Sequence, residues 1–316
     1  MTSRPTLEEI EAARERLAGQ AVRTPLLRFE ADGDVHLKLE NLQPIGSFKL
    51  RGAANAIALA SPEALADGVW TASAGNMAQG VAWCARALGI PCRVVVPDTA
   101  PQAKRAAVER LGAEVVLVSP DEWLEVFTTR EREGMEGLFV HAFSDRDVMA
   151  GNGTIGLELL EDLPDVDAVV IPYGGGGLSC GIASALRALK PECRIYAGEV
   201  ETAAPLAASL EAGEPVRVDW KHTFVDGIGA PEVFPEMFEL ARELLDGSVV
   251  VTVDEAAAAV RLLAERAHVV AEGAGAVPVA AALSGRAGVG TIACVVSGGN
   301  IDATVLAAIL RGDRHR

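Results

Sequence analysis

Residues 39–55, LENLQPIGSFKLRGAAN, decide how the rest of the chain is read. Pro44 and Gly46 open a turn, Phe48 and Lys49 follow, and Leu50, Ala53, Ala54, Ile57 and Ala58 then recur at helix spacing. Lys49 therefore falls near the first turn of a helix, behind a Gly-Ser turn. A lysine in such a place is ordinarily a solvated charge, because Lys is rarely buried. The small residues of GSFKLRGAA and the neighbouring Phe48 argue for tight packing instead. A partly desolvated amine near a helix N-terminus has a lowered pKa, and such a lysine can be a nucleophile or a Schiff-base former.

The composition bounds what that lysine can serve. The chain has 316 residues, enough for one large or two ordinary domains, and half of them are hydrophobic. A net charge of −16 argues against nucleic acid or an anionic membrane as partner. No apolar run reaches spanning length, and the start, MTSRPTLEEIEAARERL, is an amphipathic helix pattern with a Thr6–Glu9 capping box. Cys84, Cys92, Cys180, Cys193 and Cys294 are scattered, without a CxxC pair, and read as buried thiols in a reducing compartment. The five histidines show no metal-ligand spacing. The expectation is a cytoplasmic protein without a metal site.

Outward from the lysine turn, strand and helix patterns alternate. TPLLRFE and VHLKLE precede it as short strands. Beyond it, strands are expected at 68–72, 92–96, 113–118, 138–141, 168–171, 194–199, 249–253 and 292–296. Helices are expected through Trp83 and Leu88, at 103–111, 121–134, 151–162, 205–210, 255–267 and 276–283, and up to Leu310. The stretch up to Gly229 reads as irregular. Continuous apolar strands imply parallel sheets with helices on both faces, so the fold class is α/β.

Ligands in such folds bind at the carboxyl ends of strands. Three polar or glycine-rich turns fall there, at 73–80, 174–177 and 297–300. The run Gly174, Gly175, Gly176, Gly177 is the most telling. It removes every side chain from a strand-to-helix turn, so that backbone N–H groups can wrap an anion at a helix N-terminus. A tight connection needing positive φ would be satisfied by one or two glycines. Neither a P-loop nor a G-x-G-x-x-G turn fits the residues that follow. A lysine nucleophile, a phosphate cradle and polar turns at strand ends together ask for a small phosphorylated aldehyde, pyridoxal phosphate.

GSFKLRGA, SAGNMAQG, GNGTIGLELLED, GGGGL, VDGIG and SGGN occur in this order along nearly the whole chain. In them the sequence resembles the fold-type II (tryptophan synthase β-like) pyridoxal-phosphate enzymes, and among these the serine/threonine dehydratases. The resemblance implies two domains, each containing a parallel sheet: residues 1–70 with 148–316, binding the cofactor, and an inserted 71–147 carrying the substrate loop. It implies that Lys49 holds the cofactor and serves as the base at Cα, that Phe48 packs beside the ring, and that Asn76 bonds the ring hydroxyl. Gly174, Gly175, Gly176, Gly177 and Leu178 would bind the phosphate, Gly227 would touch the cofactor through its backbone, and Ser297 would meet the pyridine nitrogen. Ser73, Ala74, Gly75, Asn76 and Met77 would form the substrate loop. Taken singly, Ser73, Asn76 and Ser297 also read as ordinary helix caps, and Gly227 as a turn glycine.

Three positions depart from the family pattern: Met77 replaces a histidine, Asn152 a glutamine, and Pro205 an acid six residues after Glu199. The last implies a weak divalent-cation site or none. The end of the chain soon after SGGN implies no C-terminal regulatory domain of the biosynthetic threonine deaminases. The activity implied is an ammonia-lyase eliminating water from L-threonine or L-serine, in a homodimer. The alternatives are dehydration of a bulkier 3-hydroxy amino acid, racemisation or β-replacement, and, outside catalysis, a cofactor-binding module or an unrelated α/β binding protein.

Overall fold

The computed structural model describes residues 3–31 and 33–313. Helix α1 (Leu7–Leu17) starts at the capping box expected from the sequence: the Thr6 hydroxyl accepts from the Glu9 N–H, and the Glu9 carboxylate accepts from the Thr6 N–H. Strands β1 (Leu26–Phe29) and β2 (Asp34–Lys38) follow, then a 3-10 turn at Glu40–Leu42, α2 (Lys49–Leu59), β3 (Val69–Ala72) and α3 (Asn76–Leu88). Next come β4 (Cys92–Pro97), α4 (Gln102–Glu109), β5 (Glu114–Val118), α5 (Pro120–Thr129), β6 (Leu138–Phe139) and α6 (Arg146–Asp162). The chain continues with β7 (Ala168–Pro172), α7 (Gly177–Leu189), β8 (Arg194–Val200), α8 (Pro205–Ala212), α9 (Pro235–Leu244) and β9 (Gly247–Val251). It closes with α10 (Val253–Leu262), a π turn at Leu263–Ala267, α11 (Gly273–Leu283), β10 (Thr291–Val295) and α12 (Ala303–Arg311).

Two sheets result. One has the order β1-β2-β10-β7-β8-β9 and is parallel except for β1 against β2; the other, β5-β4-β3-β6, is parallel throughout. The second sheet comes from residues 69–139, between β2 and β7 of the first. Every residue of β7, AVVIP, is buried. Its Ala168 and Val170 join the apolar cluster containing Val260 and Val277, while Val169 and Ile171 join the cluster of Ile155, Ile182 and Phe238 on the opposite face. The smaller sheet divides in the same way, with Val94 and Val96 on one face and Trp70, Ala72 and Val95 on the other. An α/β fold with covered parallel sheets is what the apolar strands require.

The structure departs from the sequence-based elements at three places. The segment expected as one helix over 121–134 is α5, which stops at Thr129: Arg130 takes φ 65°, and its guanidinium donates to the Ser144 carbonyl. Helix α6 begins at Arg146, not 151, because the Asp145 carboxylate caps the N–H groups of Asp147 and Val148. Helix α9 has no counterpart among the expected elements; Pro235 starts it, and Met237, Phe238, Leu240, Ala241 and Leu244 form its buried face. Among the described residues, no helix is long and apolar enough to cross a membrane.

Candidate active site

Lys49 is the first residue of α2. Its turn is laced to the SGGN turn that follows β10. The Phe48 N–H donates to the Ser297 carbonyl, the Gly299 N–H to the Gly46 carbonyl and the Asn300 Nδ2 to the Ile45 carbonyl, each at 2.9 Å. Behind the turn lies a buried ionic cluster of Lys38, Glu40, Arg51 and Glu158. Arg51 donates to Glu40 and Glu158 at 2.6–2.9 Å and to the Thr154 hydroxyl at 3.1 Å. Two cations and two anions enclosed together leave no uncompensated charge, and they tie β2 and α6 to the start of α2. The Lys49 amine donates to the carbonyl of Ala142, beyond β6 of the other sheet. Burial draws its pKa down to about 8 against the opposing charge of Glu272.

The residue after Ala142 reaches the glycine run. A Cβ on Gly175 would lie 2.0 Å from the Phe143 ring, and one on Gly177 would lie 2.7 Å from the Phe143 backbone. Gly176 has φ 87° and caps α7. The first N–H groups of α7 have no intrahelical acceptor. Asn152 buttresses the turn, its Nδ2 donating to the Gly177 carbonyl at 3.2 Å.

Ser73, Ala74, Gly75 and Asn76 are partly exposed at the end of β3 and the start of α3. The Ser73 hydroxyl accepts from the Gly75 N–H at 3.2 Å. Asn76 donates through Nδ2 to the Glu272 carboxylate at 2.9 Å and accepts at Oδ1 from Asn300 Nδ2 at 2.8 Å. Glu272 also closes on the expected cofactor turns: its Oε1 would be 2.5 Å from a Cβ on Gly298 and 3.4 Å from one on Gly227. Burial raises the Glu272 pKa to about 7, against the hydrogen bond from Asn76. Lys49, the glycine run, Asn76, Gly227 and the Ser297 turn therefore converge. Phe48 is nearly buried, its ring centroid 5.0 Å from the Lys49 amine. Met77 does not join them. It is 1% exposed, in the apolar cluster with Ile45, Leu50 and Val94, and offers no surface to a substrate.

The sequence reading gives no role to Glu272, Asn300 or Phe143. An acid in the apolar run VVAEGAGAVPVAAAL is the available signal for Glu272; nothing local distinguishes Phe143.

The Glu199 carboxylate accepts from the Leu206 and Ala207 N–H groups, each at 2.8 Å, and from the Ser248 hydroxyl at 2.6 Å. The N-terminus of α8 thus occupies the carboxylate that a cation would need, and Pro205 supplies no ligand. Among the described residues, no three His, Cys, Asp or Glu side chains are grouped to hold a metal. These residues do not fit a cation site. All five cysteines are free and buried, and burial holds Cys84, Cys92 and Cys180 as thiols with pKa values of about 12.

A poised amine facing a side-chain-free cradle at a helix N-terminus fits a phosphorylated aldehyde, and the class this defines is that of enzymes using pyridoxal phosphate. A family model described as "Pyridoxal-phosphate dependent enzyme" matches residues 17–298, and the chain belongs to that family. It is 44% identical to an L-threonine ammonia-lyase of Thermotoga maritima, over 96% of this chain and 78% of that one. It is 38% identical to a catabolic L-threonine dehydratase of Staphylococcus aureus, over 96% and 92% respectively. Similar solved structures include maize serine racemase (31% identity, 98% of both chains, TM-score 0.90). Another is a threonine deaminase from tomato, Solanum lycopersicum (33% identity, 98% and 91% of the two chains, TM-score 0.87).

Proposed function

We propose that this pyridoxal-phosphate enzyme is an ammonia-lyase that removes water from L-threonine or L-serine and releases a 2-oxo acid and ammonia. The observation that carries the reading is the 44% identity over 96% of the chain to an L-threonine ammonia-lyase. Bound between Lys49 and the glycine run, the cofactor supplies an electron sink for the carbon that loses its proton. The Lys49 amine would hold it and, once free with the substrate bound, would take the Cα proton. The N–H groups of Gly174, Gly175, Gly176, Gly177 and Leu178 would hold the phosphate, the arrangement that a helix N-terminus favours. Phe48, Asn76, Gly227 and Ser297 would hold the ring, Asn76 at the ring oxygen.

Ser73, Gly75 and the N–H groups opening α3 grip the substrate carboxylate and so orient the Cα–H bond toward Lys49. Departure of the β-hydroxyl as water leaves an enamine, which tautomerises to an imine; water then converts the imine into the 2-oxo acid and ammonia. Residues 71–147 act as the smaller unit carrying the substrate loop, and 1–70 with 148–316 as the larger. The reading extends to a hydroxy amino acid as the small-molecule partner, to a homodimer and to the cytoplasm. Racemisation is the second reading, favoured by the 0.90 TM-score to a serine racemase and opposed by Ala74. A panel of 3-hydroxy amino acids assayed for 2-oxo acid release tests the proposal: release from L-threonine and L-serine supports it, and release from neither overturns it.

A further inference from the structure

Asn76 has a fixed orientation, and the groups around it impose it. The Ile45 carbonyl can only accept, so the Asn300 group facing it at 2.9 Å is Nδ2. The same Nδ2 reaches the Asn76 side chain at 2.8 Å, and its partner there must be Oδ1. The Asn76 Nδ2 is then left facing the Glu272 Oε1 at 2.9 Å, while the Glu272 Oε2 accepts from the Asn300 N–H at 3.2 Å. Glu272 is itself held in place by its own N–H, which donates to the Gly298 carbonyl at 3.0 Å. No bond of this chain can be reversed while Glu272 is a carboxylate. One hydrogen of the Asn76 Nδ2 remains unused.

We propose that Glu272 is a positioning residue: acting through Asn76, with Asn300 as its counterpart, it makes the site present an N–H donor rather than a carbonyl to the cofactor ring oxygen. This rests on the reading that Asn76 meets that oxygen. An N–H donor stabilises the oxygen as an anion, and a carbonyl in its place would demand that the oxygen keep its proton. Protonation of Glu272 converts one of its oxygens from acceptor to donor, which removes the constraint on Asn76. Its pKa of about 7 puts that change near neutrality. The charged groups facing Glu272 are Lys49 at the start of α2, Lys104 on α4 and Asp226 in the VDGIG turn, the last two paired with each other at 2.6 Å.

The test is a titration of purified apoenzyme with pyridoxal phosphate, followed by a pH titration of the absorption spectrum of the bound cofactor. Wild type is compared with Glu272→Gln, Glu272→Asp and Asn300→Asp. The Glu272→Gln side chain keeps the shape but must offer an amide to donors on both sides, and we expect about a tenfold weaker cofactor affinity. Wild type should show a spectral transition near pH 7, which should be absent from the Glu272→Gln variant and present, displaced, in the Glu272→Asp variant. Asn300 is exposed, so its Asp variant should fold even if Glu272→Gln does not; a carboxylate there competes with Glu272 for the one Asn76 amide, and should weaken cofactor affinity and displace the spectral transition. Wild-type affinity and an unchanged pH titration in Glu272→Gln, or in Asn300→Asp where the former cannot be purified, would overturn the proposal. A wild-type protein that binds no cofactor would overturn the underlying site reading as well, and is recognised by the absence of colour in every variant.

Discussion

The amine of Lys49 donates to the backbone carbonyl of Ala142, 93 residues further along the chain. Lys49 begins a helix fastened to the six-stranded sheet through the SGGN turn, and Ala142 follows the last strand of the four-stranded one. The Lys49 amine is therefore held where the two sheets meet, one residue from the Phe143 that lines the glycine run.

Burial lowers the Lys49 pKa from 10.5 to about 8, so its neutral form is reached within a pH range that enzymes tolerate. Apoenzyme should capture pyridoxal phosphate faster as pH rises, levelling off above about 8, in stopped-flow absorbance measurements. The same shift fixes the sign of a stability effect. Between about 8 and 10.5 the unfolded chain binds a proton that the native apoenzyme does not, so this group makes stability rise with pH there. Lys49→Met should flatten both profiles.

The cradle tolerates no side chain, but its positions differ in what a methyl would strike. At Gly175 it meets the Phe143 ring at 2.0–2.2 Å, Cγ included, and that ring is packed against Phe127, His141 and Phe234; at Gly177 it meets the Phe143 backbone at 2.7 Å. Gly175→Ala and Gly177→Ala should therefore each weaken cofactor binding, by a factor of about ten for each 1.4 kcal/mol of added strain. Wild-type affinity in both variants, measured by cofactor titration, would mean that the turn does not hold the phosphate through its backbone.

Inverting Cα needs a proton donor on the face opposite Lys49, and the methyl of Ala74 can supply none. L-serine should give 2-oxo acid with little D-serine, and Ala74→Ser should raise racemisation at some cost to elimination. Chiral chromatography decides it: D-serine forming in wild type as fast as the 2-oxo acid would contradict the lyase assignment.

Glu199 is engaged by two α8 N–H groups and Ser248. Chelation should therefore leave the melting temperature and the activity unchanged, and millimolar magnesium or calcium should not raise either. A cation-dependent rise in melting temperature would show that α8 yields its place to a metal.

The lysine turn, the apolar strands and the glycine run are legible because each is written locally: a period of apolar residues or a cluster of glycines has few structural meanings. Lys49 as the first residue of α2, and Gly176 as the cap of α7, follow from such patterns. What cannot be read depends on contacts distant in sequence. Asn76 meets Glu272 across 196 residues, and α5 stops where Arg130 finds Ser144. Helix α6 reads short in the sequence at its start, where Asp145 caps it ahead of Gly151; Gly151 itself admits the Arg51 carbonyl, 2.4 Å from where its Cβ would be. Met77 shows the limit of reading a loop by its motif. Adjacent to the partly exposed Asn76, it faces the core, so Met77→His should act first on stability, costing roughly 1–3 kcal/mol for a buried polar ring without a partner.

The central claim is that Lys49, and no other lysine, carries the cofactor. Borohydride reduction of the yellow holoenzyme, followed by proteolysis and mass spectrometry, tests it most directly. The cofactor mass should appear on the peptide containing Lys49. Its appearance on a peptide containing Lys38, Lys104, Lys190 or Lys221, with Lys49 unmodified, would contradict the account.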